Sequence, residues 1–294
     1  MQTRTRRRAR NVRQSCVLSV HARQDAPVVS LRVWVTRKSA RIENWRGVTF
    51  THVAHYRGST MPSVISNALG FFKIAARFER NRRASDIQTA HRHLVTSVRA
   101  LLERMGITYT SSGTEVFSAT TPYVFVANHN SLLDALLLYA HFERDVRILA
   151  KSPLYAIPFL GDVLRQEGHI AVRRGSKRHV DACALRASVA SALQDGACVL
   201  FFPEGTRSKT GQLGSFKLGA FYNAIQNNVP VVPIVIRGTF EAMPKTTLSV
   251  RPTHCTFDVL APIFPPTEGE EKYRAQCMAA EAHERMRQKL EMPV

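Results

Sequence analysis

A histidine and an aspartate with four residues between them form the first pair in this chain that could perform acid–base chemistry. Residues 128–134 read Asn-His-Asn-Ser-Leu-Leu-Asp and lie between an apolar run and a helical pattern. The imidazole of His129 can take a proton from an attacking hydroxyl, and the carboxylate of Asp134 can fix its tautomer and stabilise the imidazolium. The same residues also read as a capping box, in which Asp134 accepts a backbone N–H near Ser131. The spacing alone leaves both interpretations open.

A second polar segment, residues 202–208, follows the most apolar strand pattern of the chain and reads Phe-Pro-Glu-Gly-Thr-Arg-Ser. Gly205 would let the backbone approach a ligand closely, and the guanidinium of Arg207 can bind phosphate through two parallel hydrogen bonds. An ion pair between Glu204 and Arg207 that only stabilises the loop is the alternative. The segment is therefore a candidate anion-binding turn.

A third segment, residues 168–174, reads Gly-His-Ile-Ala-Val-Arg-Arg and places Arg174 just past another predicted strand. If the strands are parallel, their carboxyl ends meet at one edge of a sheet, where Arg174 would be a second phosphate-binding group. The body of the chain alternates short apolar strands with helical patterns, which favours an α/β fold with a largely parallel sheet. We predict strands at 123–127, 146–150, 169–173, 197–202 and 231–237, and helices at 131–142, 176–195, 216–227 and 268–292.

Net charge is concentrated at the beginning of the chain. Of the formal net charge of +19, residues 1–60 carry +11, from 13 Lys and Arg against Asp25 and Glu43. Such a basic, poorly ordered extension could be a targeting sequence, a nucleic-acid-binding arm, or sequence upstream of a true start at Met61. The rest of the chain, at +8, is attracted to anionic surfaces without a preference between lipid, acidic protein and nucleic acid.

Residues 61–106 show two helical patterns that predict an amphipathic hairpin before the α/β body at 107–294. The first has apolar residues at helical spacing followed by a basic cluster at 73–83, and the second runs over 85–105 up to Gly106. One interpretation is attachment to an anionic membrane surface, and the other is a pair of core-packing helices with a solvated basic face. No apolar run approaches the roughly 18 residues that a spanning helix needs.

Other chemistry is less well supported by the sequence. The five cysteines are scattered without metal-ligand or redox spacing, which is typical of reduced thiols. His91 and His93 have no further ligands at suitable spacing and are expected to be surface histidines. Ser131 lacks the Gly-x-Ser-x-Gly elbow of a covalent nucleophile and is expected to cap a helix.

The three polar segments, in this order, resemble the motif blocks of the lysophospholipid acyltransferase family, especially the 1-acylglycerol-3-phosphate acyltransferases. The first block is matched by His129 and Asp134, the third by Phe-Pro-Glu-Gly-Thr-Arg at 202–207, and the second by Gly-x-Ile-x-Val-x-Arg at 168–174. Ala171 departs from an aromatic residue in that second block. A proline-containing apolar block at 229–236 and a Lys-x-Gly-Ala-Phe element that begins at Lys217 complete the resemblance.

The resemblance implies an O-acyltransferase that moves an acyl chain from acyl-CoA or acyl carrier protein to the sn-2 hydroxyl of 1-acylglycerol-3-phosphate, without a covalent acyl-enzyme. His129 would be the general base and Asp134 would orient it. The acceptor's glycerol phosphate would be bound by the following residues: Arg174, Glu204, Gly205, Thr206, Arg207 and Lys217. No tightly bound cofactor or metal is implied, since the acyl donor is a cosubstrate.

The resemblance further implies phospholipid biosynthesis at a membrane surface, with the protein peripheral or monotopic on its cytoplasmic face. Two alternatives remain open from the sequence. One is an acyltransferase for another lysolipid, and the other is a nonenzymatic basic protein that binds anionic membrane or nucleic acid. The body shows no recognisable nucleic-acid-binding module, so no nucleic-acid partner is expected.

Overall fold

The structure, a computed structural model, describes residues 21–23, 26–37, 44–52, 87–114, 121–142, 144–157, 160–173, 179–247 and 249–292. The chain divides into two units. The first comprises Met1–Gly58 and Ala156–Pro158, and the second comprises Ser59–Tyr155 and Phe159–Val294. The candidate chemistry lies in the second unit.

The first unit contains an antiparallel sheet in the order β1-β2-β3, formed by β1 (His21–Arg23), β2 (Ala26–Arg37) and β3 (Asn44–His52). The sequence analysis predicted no strands within residues 1–60. The apolar residues of β2 do alternate with others at Val29, Leu31, Val33 and Val35, which is the period of a strand. The high density of arginine obscured this alternation.

The second unit is built on a seven-stranded, mostly parallel mixed sheet in the order β4-β10-β9-β5-β8-β6-β7. Only β9 and β10 run antiparallel to each other, while all other neighbours are parallel. This confirms the predicted fold class. The strands are β4 (Ile107–Ser112), β5 (Val124–Ala127), β6 (Val146–Lys151), β7 (Ile170–Val172), β8 (Cys198–Phe201), β9 (Val231–Arg237) and β10 (Thr253–Val259).

Strands β4 and β10 were not predicted from the sequence. Strand β4 lies at the edge of the sheet and is mostly exposed after Ile107. It therefore reads as a polar Thr/Ser-rich stretch rather than as an apolar run. Strand β10 buries only alternate residues, so its sequence contains fewer apolar residues than the central strands. The central strands β5, β8 and β9 are buried along nearly their whole length, so they are continuous apolar runs that can be predicted from the sequence.

Helices cover both faces of the sheet. They are α1 (Ile87–Arg104), α2 (Leu133–His141), α3 (Leu160–Gln166), α4 (His179–Gln194), α5 (Gly219–Gln226), α6 (Thr239–Ala242) and α7 (Glu271–Glu291), with a 3-10 turn at Ser152–Ala156. Alternate residues of β5 enter different cores: Phe125 and Ala127 pack on the side of α1 and α2, and Val124 and Val126 on the side of α4, α5 and α7. The result is a three-layer arrangement.

Helix α1 is the second helix of the predicted hairpin, and its apolar face is part of the protein core. Leu94, Val98 and Leu102 are buried in the same cluster as Leu137 of α2. The core-packing alternative therefore holds for this helix. The first predicted helix lies outside the described residues. Among the helices that the structure describes, none is both long and apolar enough to cross a bilayer.

Candidate functional site

Two of the three polar segments meet because the strands before them are parallel neighbours. Val126 of β5 pairs with Phe201 of β8, so both strands reach the same edge of the sheet within one residue of each other. The chain then continues into residues 128–134 on one side and residues 202–208 on the other. Candidate sites in sheets of this kind lie at the carboxyl ends of the strands. His129 and Glu204, which are 75 residues apart in the sequence, are therefore in direct contact.

His129 and Asp134 are hydrogen bonded, with 2.9 Å between His129 Nδ1 and Asp134 Oδ2. The carboxylate of Asp134 is completely buried. Its Oδ2 also accepts the backbone N–H groups of Asn130 at 2.7 Å and Ser131 at 2.8 Å. The capping and the histidine-orienting interpretations are therefore both satisfied by one oxygen atom. A carboxylate held by two backbone donors cannot rotate freely, so it fixes the imidazole as well.

Ser131 has a structural role at the start of α2. Its hydroxyl donates to the carbonyl of Met243 at 2.8 Å and accepts the N–H of Leu133 at 3.2 Å. The side chain is fully buried, and its hydroxyl proton is used in the hydrogen bond to Met243. This geometry agrees with the expected capping role and offers no activated nucleophile.

Glu204 joins the second segment to the first. One carboxylate oxygen accepts the backbone N–H of His129 at 2.8 Å, and the other accepts the N–H of Gly214 at 3.2 Å. Burial raises the pKa of this carboxyl, and the two N–H donors act in the opposite direction. Both oxygens are thus engaged with backbone, and among the described residues the ion pair with Arg207, which was the alternative for this segment, is not found. In this geometry Glu204 positions His129.

Two further contacts hold the imidazole in place. The ring of His129 stacks on Phe202, with 4.0 Å between centroids and 20° between planes. The N–H of Ser208 donates to the carbonyl of His129 at 2.6 Å. Only 8% of the surface of His129 is exposed, so only a small part of the residue is accessible to a substrate.

Asn128 is a site-forming residue that the sequence analysis missed. Its amide donates to the carbonyl of Ile236 at 2.8 Å and accepts the N–H of the same residue at 2.7 Å. The side chain therefore replaces a strand neighbour where β5 ends beside β9. This pairing fixes the chain immediately before His129. The only sequence signal was its position between an apolar strand and the histidine.

The predicted anion-binding turn carries cationic side chains. Gly205 has φ of 72°, and a Cβ placed there would lie 2.7 Å from Lys217 Nζ. Glycine thus allows both the left-handed backbone and the close approach of Lys217. Arg207 is partly buried beside Thr206, which is exposed. Lys245, which the sequence analysis did not single out, donates from Nζ to Thr206 Oγ1 at 2.9 Å.

The contacts of the described residues do not bring Arg174 into this arrangement. Strand β7 is parallel to β6, which is parallel to β8, as the prediction for Arg174 required. Residue 174 itself lies outside the described residues, and exposed Arg173 is the last described residue after β7. Because β6 lies between β8 and β7, the two strand ends are about 10 Å apart. Its phosphate-binding role stays a prediction.

The paired histidines of α1 differ from each other. His93 is exposed as expected, but His91 is partly buried and its Nδ1 lies 2.6 Å from Glu167 Oε2, so the surface assignment of His91 is wrong. The hydrogen bond with Glu167 raises the pKa of His91. Tyr139 also donates to Glu167. Among the described residues, no cluster of three or more His, Cys, Asp or Glu could hold a metal ion.

Residues 108–237 match the family model described as Acyltransferase. A chloroplastic 1-acyl-sn-glycerol-3-phosphate acyltransferase of Arabidopsis thaliana is 41% identical over 127 residues, which are 43% of this chain and 35% of that protein. The alpha 1-acyl-sn-glycerol-3-phosphate acyltransferase of Ovis aries is 36% identical over 166 residues, 56% of each chain. The chain therefore spans only part of the length of these curated relatives.

A solved structure shares the fold. The crystal structure of the 1-acyl-sn-glycerophosphate acyltransferase from Thermotoga maritima superposes with a TM-score of 0.63 at 21% identity, covering 78% of this chain and 97% of that one. At this identity the likeness concerns the fold.

Proposed function

We propose, from the match of residues 108–237 to the family model described as Acyltransferase, that this chain is a 1-acyl-sn-glycerol-3-phosphate O-acyltransferase. It transfers an acyl chain from a thioester donor to the sn-2 hydroxyl of the acceptor and forms phosphatidic acid. The observation that carries the proposal is the buried pair of His129 and Asp134, held against the second segment by Glu204. The relatives named for this reaction support the choice of acceptor.

His129 is the general base of the proposed reaction. Because its Nδ1 faces the carboxylate of Asp134, Nδ1 carries the ring proton and Nε2 has the free lone pair. Nε2 takes the proton of the acceptor hydroxyl as its oxygen attacks the thioester carbonyl. The new C–O ester bond forms, the C–S bond breaks, and His129 returns the proton to the leaving thiolate. No acyl-enzyme is required.

The acceptor phosphate binds at the turn that follows β8. The N–H and hydroxyl of Thr206, the guanidinium of Arg207 and the ammonium of Lys217 supply the donors and the charge, with Arg174 as a further cation. Glu204 and Gly205 shape this turn, and Glu204 acts through His129 rather than on the anionic ligand. Holding the acceptor here turns a two-molecule encounter into a positioned reaction.

The acyl donor, acyl-CoA or acyl carrier protein, acts as a cosubstrate and no tightly bound cofactor takes part. We place the protein at the cytoplasmic face of an anionic membrane, with residues 61–106 as the contacting segment and residues 1–60 as a separate extension. Since the apolar face of α1 is buried in the core, contact must come from its exposed side and from the residues before it. Cosedimentation with phosphatidylglycerol and phosphatidylcholine vesicles tests this.

The function is tested by thiol release in lipid-containing buffer, with acyl-CoA and acyl carrier protein donors, with and without 1-acylglycerol-3-phosphate. We expect acceptor-dependent release accompanied by phosphatidic acid. His129→Ala should abolish it without unfolding the protein, whereas His93→Ala, which changes an exposed histidine, should leave it unchanged. Release only with another lysolipid would reassign the acceptor, and no release with any donor and acceptor would favour a nonenzymatic binding protein.

A further inference from the structure

The loop after α6 touches both halves of the candidate site. The carbonyl of Met243 accepts the hydroxyl of Ser131 from the first segment. Two residues later, Lys245 Nζ donates to Thr206 Oγ1 at 2.9 Å and to the carbonyl of Arg207 at 3.4 Å. None of the motif segments found in the sequence includes this loop. It nevertheless contacts both the start of α2 and the turn after β8.

Lys245 is partly buried as a residue, and its ammonium donates to two neutral acceptors, Thr206 Oγ1 and the carbonyl of Arg207. None of the ion pairs formed by the described residues includes it. A positive charge that is partly removed from water without a carboxylate nearby is stabilised by a bound anion. The two groups that Lys245 contacts belong to the turn that is the candidate anion site.

The direction of the hydrogen bond at Thr206 strengthens this assignment. A threonine hydroxyl can accept and donate at the same time. Because Lys245 donates to Oγ1, the hydroxyl proton of Thr206 remains available for an oxygen of a bound phosphate. A hydroxyl that already accepts a charged hydrogen bond is also a stronger donor. Lys245 thereby orients Thr206 and adds its own charge beside it.

We propose that Lys245 is a specificity-determining residue of the acceptor site, which selects the anionic phosphate of the acceptor through its charge and through Thr206. This proposal rests on the proposed function. The turn that Lys245 contacts is joined to the general base, since Ser208 bonds to the carbonyl of His129. Lys245 does not itself reach His129 in the contacts described. Its loss should therefore weaken acceptor binding much more than the chemical step.

The test measures kcat and KM with 1-oleoylglycerol-3-phosphate and with neutral 1-oleoylglycerol, for wild type and three variants. Lys245→Met removes the charge and keeps the chain length, and Lys245→Arg keeps the charge. Lys209→Met is the matched control, because Lys209 is exposed on the same loop as the second segment. Unfolding midpoints show whether each variant folds, and Lys245→Gln replaces Lys245→Met if the latter does not.

For Lys245→Met we expect a KM for the phosphate-bearing acceptor that is about tenfold higher, as for the loss of one charged hydrogen bond. The KM for the acyl donor and activity with the neutral acceptor should stay unchanged, so the preference for phosphate falls by the same factor. Lys245→Arg should recover most of the loss, and Lys209→Met should resemble wild type.

An unchanged acceptor KM in Lys245→Met, an equal rise for the donor, or an equal effect of Lys209→Met would overturn the role of Lys245 while leaving the proposed function intact. A wild-type protein that shows no acceptor-dependent thiol release overturns both. The two failures are distinguishable because the second is seen before any variant is measured.

Discussion

Replacing Asp134 by Asn and by Ala separates its two structural roles. Oδ2 of Asp134 accepts the imidazole of His129 and two backbone N–H groups, and the residue is completely buried. Asp134→Asn keeps an oxygen for the backbone donors but removes the negative charge. Asp134→Ala also removes the oxygen atom, so the N–H groups of Asn130 and Ser131 lose their hydrogen-bond acceptor.

The expected catalytic loss follows from the charge that develops on His129. An imidazolium and a carboxylate whose centres are about 4 Å apart attract each other by about 4 kcal/mol at an effective dielectric constant of about 20. Since about 1.4 kcal/mol corresponds to a factor of ten, Asp134→Asn should lower kcat by about 10³-fold. Asp134→Ala should lower it at least as far.

Stability should distinguish the same two variants. Two buried N–H groups that lose their acceptor cost about 1–3 kcal/mol each, so Asp134→Ala should reduce the free energy of unfolding by about 2–6 kcal/mol. Asp134→Asn should stay much closer to wild type, because Oδ1 of Asp134 makes no hydrogen bond among the described residues and its replacement by NH₂ breaks none. The assays are thiol release at saturating substrates and urea unfolding. Asp134→Asn with kcat within tenfold of wild type would refute the orienting role and leave only the cap.

Two other predictions concern Gly205 and His169. Gly205→Ala and the control Gly196→Ala both place a side chain at positive φ and should each cost about 1–2 kcal/mol in urea unfolding. Only Gly205→Ala should raise the acceptor KM, because its Cβ would displace Lys217, whereas a Cβ at Gly196 would meet open space. The same acceptor KM for the two variants would contradict this. Burial lowers the pKa of His169 to about 4, below its ordinary 6.5, so its stabilising contribution is complete above pH 6.5 and is lost as the pH falls towards 4. His169→Asn can still accept the N–H of Ile148. Between pH 7 and pH 4 its free energy of unfolding should therefore fall by about 3 kcal/mol less than that of wild type, as measured by urea unfolding at each pH.

The sequence by itself determined the parts of this protein whose causes are local. The central strands were predicted because strands buried on both faces must be continuous apolar runs. Four of the helices after residue 121 were predicted to within about three residues at each end. The contact between His129 and Asp134 was also predictable, because five residues at the start of a helix bring the two side chains within reach.

Tertiary structure decided which residues complete the site. Glu204 reaches the backbone of His129 across 75 residues, and Asn128 pairs with Ile236 across 108. Such contacts depend on which strands become neighbours, and periodicity carries no information about that order. The same holds for Lys245, which has no motif around it and gains its place only because β9 lies beside β5 and the loop after α6 folds over the turn after β8. Local spacing therefore predicted the contact between His129 and Asp134, and strand order determined which residues surround it.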